Sequence, residues 1–155
     1  MNKSCFDPID DVIQAFSSGE IVVMVDDEGR ENEGDLICAA ELVTPDIINF
    51  MITHARGLVC VPMTEDRLRK LGLSRMTPAY SSDKYHTAFM DSVDVRENTT
   101  TGISAFDRAE TIKALISEKS SAQDFIKPGH VFPLKSVNNG VVERPGHTEG
   151  TVDLA

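Results

Sequence analysis

The sequence predicts an α/β (mixed α+β) fold, a layered α-β-α sandwich around a mixed sheet, in a single domain spanning 1–155. Two observations predict it. Helix-period and strand-type segments interleave from one end of the chain to the other, which sets helices against a sheet rather than apart from it. At 155 residues, 41% hydrophobic and 26% charged, the chain can bury one core without disulfides or a structural metal, and its composition is that of a globular protein.

The elements run in order along the chain. Asp7 and Pro8 give a cap followed by proline at a first helical position. Ile9, Val12, Ile13 and Phe16 then recur at i, i+3, i+4 and i+7, predicting an amphipathic helix that ends near Gly19. Ile21 to Val25 is apolar throughout, as in a strand covered on both faces. The acidic, glycine-punctuated segment Asp26 to Asp35 separates it from a second apolar stretch, Leu36 to Ala40. Thr44-Pro45 repeats the helix start signal, and Ile47, Ile48, Met51, Ile52 and Ala55 share a face before Gly57. Leu58 to Met63 reads as a buried strand, and Thr64 caps a short charged helix ending at Gly72. Leu73 to His86 shows no period and reads as a long loop, while Thr87 to Val93 has weak strand character. Ser104 with Asp107 resembles a capping box that opens a helix through about Ile116. Pro128-Gly129 reads as a break before a short strand at His130 to Leu134, and Asn138-Asn139-Gly140 as a hairpin turn. Gly146 to Glu149 looks like a helix start. Val152 and Leu154 begin an apolar face, and with no glycine cap or basic last turn before Ala155 that element reads as cut short.

The formal charge of -10 disfavours nucleic acid as a partner, since gripping a phosphate backbone requires clustered Lys and Arg. Cys5, Cys38 and Cys60 are widely spaced with no C-x-x-C pair, which fits a reducing compartment. Met1 to Asp11 has no apolar signal core, and the longest apolar run, Ile21 to Val25, is too short to span a bilayer. A soluble, cytoplasmic protein with no membrane partner is expected.

Two constellations carry chemistry. Asp26-Asp-Glu-Gly-Arg-Glu-Asn-Glu-Gly-Asp35 holds six carboxylates within ten residues, a density that repels itself unless solvated or bound to a cation. An EF-hand fails on spacing: placing Gly29 at the loop's sixth position puts Met24 at its first, and placing Gly34 there puts Gly29 at the first. A solvated acidic loop and an oxygen-rich Mg²⁺ or Mn²⁺ site both remain open, with Arg30 among the acids suited to a phosphate or an enolate. Arg144-Pro-Gly-His-Thr-Glu149 at a helix start suits a phosphate, with simple N-capping by His147 and Thr148 as the competing reading. His130, taken alone, reads as a packed or surface residue entering a strand, and His54 and His86 carry no assigned role. G-x-S-x-G, Walker A, G-x-G-x-x-G and H-E-x-x-H patterns do not occur. Residues alone thus point to a divalent-cation enzyme acting on a small phosphorylated substrate.

The acidic segment 26–35 resembles the signature loop of 3,4-dihydroxy-2-butanone-4-phosphate synthases. It is followed in family order by Thr99-Thr-Thr-Gly-Ile-Ser-Ala105, Pro128-Gly-His-Val-Phe-Pro-Leu134 and Gly146-His-Thr-Glu149. The resemblance runs from the first helix to Ala155. It implies conversion of D-ribulose 5-phosphate into the four-carbon phosphate and formate, by metal-assisted enolisation, a skeletal 1,2-shift and loss of one carbon. It implies Glu31 and His147 as the protein's ligands to two Mg²⁺ or Mn²⁺ ions. Arg30, Glu31 and Asp35 become substrate contacts, with Asp35 also a proton acceptor, and Arg144, Pro145, Gly146, His147 and Thr148 form the phosphate-side loop. His130 falls at a position the family needs for catalysis, whereas Cys60 still reads as a buried apolar residue. The resemblance further implies homodimers with sites at the interface, fusion to GTP cyclohydrolase II in some members, and a catalytic glutamate in a strand beyond Ala155, so that 1–155 lacks the family's C-terminal strand and helix. The competing readings are a non-catalytic remnant that binds metal or sugar phosphate or only dimerises, and another Mg²⁺-dependent sugar-phosphate isomerase or lyase.

Overall fold

The computed structural model describes residues 6–76 and 84–155. Helices α1 (Ile9–Ser17), α2 (Pro45–His54), α3 (Glu65–Lys70), α4 (Ala105–Ile116), α5 (Gly140–Glu143) and α6 (His147–Leu154) alternate with strands β1 (Val22–Val25), β2 (Gly34–Ile37), β3 (Cys60–Met63), β4 (Val93–Val95) and β5 (Phe125–Lys135). The expected mixed architecture is present. β3 runs parallel to β5 and β4 antiparallel to it, in the order β3-β5-β4, while β1 and β2 form a separate antiparallel ribbon.

Local chemistry sets the helix boundaries where the sequence marked them. The Thr44 hydroxyl accepts from the Ile47 N–H at 3.2 Å, the Thr64 hydroxyl from Arg67 at 3.4 Å and the Ser104 hydroxyl from Asp107 at 3.0 Å. Each satisfies one donor that a first helical turn leaves free. The Ser104 box is not reciprocal, however. The Asp107 carboxylate accepts instead from the Thr100 N–H at 3.1 Å, the Thr100 hydroxyl at 2.8 Å and the Gly102 N–H at 3.0 Å, tying the 99–102 turn to the head of α4.

α4 packs on β4, β5 and α2, and α6 packs on β3. Leu68, Leu71, Val93, Leu115 and Val131 are fully buried between these layers. Alternation along β3 sends Val61 and Met63 into the core and Cys60 and Pro62 to the opposite face.

Four readings of the sequence need correction. Asp7 makes no side-chain cap, and Pro8 occupies the N-cap position itself. β1 is not covered on both faces: Val23 is 66% exposed and Val25 also faces out, alternating with the half-buried Val22 and Met24, because only one face of the β1–β2 ribbon packs on the rest of the described residues. Pro128-Gly129 does not interrupt β5, which runs through both; a register shift opposite, between Val93 and Asp94, absorbs them as a bulge. Asn138-Asn139-Gly140 leads into α5 rather than a hairpin, with Gly140 at φ +56° and the Asp153 carboxylate of α6 accepting from the Val141 N–H at 2.9 Å. Of the long loop expected over 73–86, residues 77–83 lie outside the described residues, and Arg75 bridges to Met90.

Candidate active site

The β1–β2 connection is organised by one carboxylate. One oxygen of Asp26 accepts from Arg30 Nη1 at 2.7 Å and the Glu31 N–H at 3.0 Å, and the other accepts from the Glu33 N–H at 3.0 Å. Burial pushes the Asp26 carboxyl up, but these donors outweigh it and hold it well below the usual carboxylate range. Asn32 turns the loop at φ +53°. The result fixes Glu31: Arg30 Nη2 lies 2.9 Å from Glu31 Oε1, leaving Oε2 turned to His147.

His147 arrives from the first turn of α6. Its Nδ1 stands 3.8 Å from Glu31 Oε2 and 3.8 Å from Asp35 Oδ2, and its Nε2 stands 4.0 Å from Asp26 Oδ1. All three separations exceed hydrogen-bond range. Nε2 is buried and makes no hydrogen bond. Donor atoms of Asp26, Glu31 and His147 lie within 4.8 Å of one another.

This donor set fits a divalent cation. A buried polar nitrogen without a partner is costly unless something occupies it. Two ligand atoms each about 2.1 Å from one Mg²⁺ sit about 3–4 Å apart, which spans the separations of His147 Nδ1 from Glu31 and Asp35 and of the partnerless Nε2 from Asp26. Asp26 already accepts three hydrogen bonds, so Glu31 and His147 are the better ligands and Asp26 the brace behind them.

The 144–149 segment converges on the same place. Arg144 Nη1 is 2.5 Å from Glu149 Oε2, and Nη2 donates to the Tyr85 carbonyl at 3.1 Å. A Cβ on Gly146 would fall 2.6 Å from Arg144 Nη1 and 2.9 Å from Arg30 Nη2, so glycine is what lets both guanidiniums approach. Gly146 caps α6 without any side-chain bond to its first turn. Two arginines, each already paired to a carboxylate, thus meet at the uncapped N-terminus of α6, an arrangement that could hold an anion.

A cleft of about 840 Å³ is lined by Arg30, Glu31, Asp35, Arg144, His147 and Thr148 on its polar side and by Met51, Ile52 and Leu58 further along. Pro145 is exposed and does not line it. Nor does His130, which lies on β5 paired with Asp94. Cys60 lines the cleft, but its thiol is pushed up to about 12, by burial first and by the Asp35 charge second, so it is no thiolate at neutral pH. Three contributors were not singled out from the sequence: Asp26 as brace, Glu149 as the buried anchor of Arg144, and Tyr85, whose hydroxyl donates to the Arg30 carbonyl and whose ring lies 5.4 Å from the Arg30 guanidinium. Tyr85 falls in the stretch without periodicity, where no local signal marks it.

The sequence model for 3,4-dihydroxy-2-butanone 4-phosphate synthase matches residues 10–155. The chain belongs to that family. It is 53% identical over 146 residues to the 3,4-dihydroxy-2-butanone 4-phosphate synthase of Agrobacterium fabrum, covering 94% of this chain and 68% of that protein. It is 50% identical over 150 residues to the riboflavin biosynthesis protein RibBA of Bacillus subtilis, covering 97% of this chain and 37% of that one. The chain therefore spans little more than a third of RibBA. A solved 3,4-dihydroxy-2-butanone 4-phosphate synthase in complex with two magnesium ions superposes with a TM-score of 0.92 at 49% identity, over 96% of this chain and 69% of that one. The fold of this synthase family is the fold described above.

Proposed function

We propose that this chain performs its family's reaction, converting D-ribulose 5-phosphate to 3,4-dihydroxy-2-butanone 4-phosphate and formate in riboflavin biosynthesis, with two Mg²⁺ or Mn²⁺ ions per site. The carbon count balances, five into four plus one. One observation carries the reading: Glu31 and His147, from opposite ends of the chain, face each other across 3.8 Å beside an anion cradle built from Arg30 and Arg144.

Glu31 and His147 would hold the metal, which when bound polarises a carbonyl oxygen and offsets negative charge developing on its neighbours. The protein's own groups do the rest. Arg30, Arg144, Thr148 and the N-terminal N–H groups of α6 anchor the phosphate and so fix the sugar's register in the cleft. Asp35, half exposed at the cleft and 3.8 Å from His147, is placed to accept a proton from a sugar hydroxyl or carbon. Met51, Ile52 and Leu58 keep one side of the cleft apolar and limit water there.

The reading includes a homodimer, for which exposed apolar surface on the outside of the molecule is the support. Ile9, Ile13, Val23 and Val25 expose apolar surface on α1 and β1, the kind of surface that marks association. His130, with a side chain 40% exposed and away from this chain's cleft, would then be available to the cleft of a second copy. No described helix is long and apolar enough to cross a membrane, and free Cys38 and Cys60 suit a reducing cytoplasm.

Formate release from ribulose 5-phosphate in the presence of Mg²⁺, abolished by EDTA and restored by Mg²⁺ or Mn²⁺, is the expected result. A folded, metal-loaded chain that binds ribulose 5-phosphate and yields no formate would support the non-catalytic reading instead.

A further inference from the structure

The peptide that links Arg30 to Glu31 is held from both sides. Its N–H donates to Asp26 at 3.0 Å, a bond made inside the acidic loop. Its carbonyl accepts from the hydroxyl of Tyr85, which stands 55 residues further along the chain. A peptide unit is planar, so fixing its two polar ends fixes its plane and with it the direction in which Glu31 leaves the backbone.

Tyr85 is in turn anchored by its surroundings. It is half-buried and lines the cleft together with Thr87, while His86 between them is exposed. Its phenol oxygen accepts from Lys84 Nζ at 3.2 Å, which polarises the O–H toward the Arg30 carbonyl. The ring lies 5.4 Å from the Arg30 guanidinium, within cation–π range. That guanidinium is the group whose Nη2 stands 2.9 Å from Glu31 Oε1, so a ring that sets Arg30 also sets the Glu31 carboxylate. The Tyr85 carbonyl accepts from Arg144 Nη2 at 3.1 Å, which joins the acidic loop to the segment that brings in His147. Stability requires only that the phenol find some acceptor; the one it takes is the carbonyl directly before Glu31.

We propose that Tyr85 is a positioning residue for the cation site, its hydroxyl holding the 30–31 peptide and its ring the Arg30 guanidinium, so that Glu31 Oε2 is presented toward His147. The proposal rests on the function proposed above and extends it to a residue that acts through Glu31 rather than on the metal.

Tyr85→Phe keeps the ring and loses the hydroxyl. Calorimetric titration of Mg²⁺ into this variant is expected to show binding about 10- to 100-fold weaker than in the wild type, the range for losing a group that orients a metal ligand. Tyr85→Leu, which loses the ring as well, should bind more weakly still. In a Glu31→Gln background Tyr85→Phe should cost little further affinity, because its effect passes through Glu31. Amide hydrogen exchange over 27–35 in the metal-free protein should be faster in Tyr85→Phe, with exchange in α4 unchanged. A Tyr85→Phe protein that unfolds at lower denaturant but binds Mg²⁺ as tightly as the wild type overturns the proposal. A loss of affinity that is undiminished in the Glu31→Gln background overturns it as well. Should the wild type bind no Mg²⁺, the functional reading fails by itself, and exchange over 27–35 still decides whether Tyr85 holds the 30–31 peptide: exchange unchanged in Tyr85→Phe means that it does not.

Discussion

Asp107 and Glu149 show how single buried carboxylates tie this molecule together. Burial pushes the Asp107 carboxyl up, but the Thr100 hydroxyl and N–H and the Gly102 N–H outweigh it, and the net is a value below the usual one. A carboxyl depressed in the folded state contributes stability that is present above its unfolded value, about 3.9, and is lost as pH falls through the folded value. Denaturant midpoints should therefore fall on acidification below about pH 4. Asp107→Asn should be less stable than wild type near neutrality and lose less on acidification. Glu149, 1% exposed, relies on Arg144 for its counter-charge. Arg144→Ala strands it, and a loss of about 3–5 kcal/mol in chemical denaturation is expected. Adding Glu149→Gln should recover part of that loss. At this scale residue type made Arg30 and Arg144 legible as anion-binding candidates, whereas Glu31 and His147 were singled out as metal ligands by the family resemblance. Asp26 was one acid among six in the loop, and only its accepted hydrogen bonds distinguish it as the brace.

Elements were legible where local chemistry sets them and illegible where tertiary partners do. Thr44, Thr64 and Ser104 cap the helices that the sequence assigned to them, because a hydroxyl and the third N–H along are neighbours whatever else the chain does. Ser104→Ala should cost about 1 kcal/mol by denaturant unfolding. Gly102→Ala should cost more, since the methyl group would collide with Asp94 at a backbone angle that side chains avoid. The sequence misled at Pro128-Gly129 because proline in a central strand is excluded except at a bulge, and the bulge is created by β4, far away in sequence. At Asn138 to Gly140 the turn signal was real. A helix rather than a second strand comes after it because Asp153 holds the first turn of α5 from the facing helix.

For the whole molecule, the class of fold emerged from the interleaving of helix and strand signals, but the extent of burial did not. The apolar run at Val22–Val25 was read as a strand with two covered faces; within one chain one face is open, and α1 likewise leaves Ile9 and Ile13 outside. Pattern reports that a surface is apolar, not which chain covers it. Sedimentation velocity should find a dimer, and Val23→Asp should shift it to monomer. Everything functional depends on the acidic loop and the start of α6 forming one cation site, and a calorimetric titration of Mg²⁺ into the chain tests that most directly. The expected result is saturable binding that Glu31→Gln or His147→Ala weakens at least about 10-fold with the fold intact. Binding of unchanged strength in both variants would contradict it.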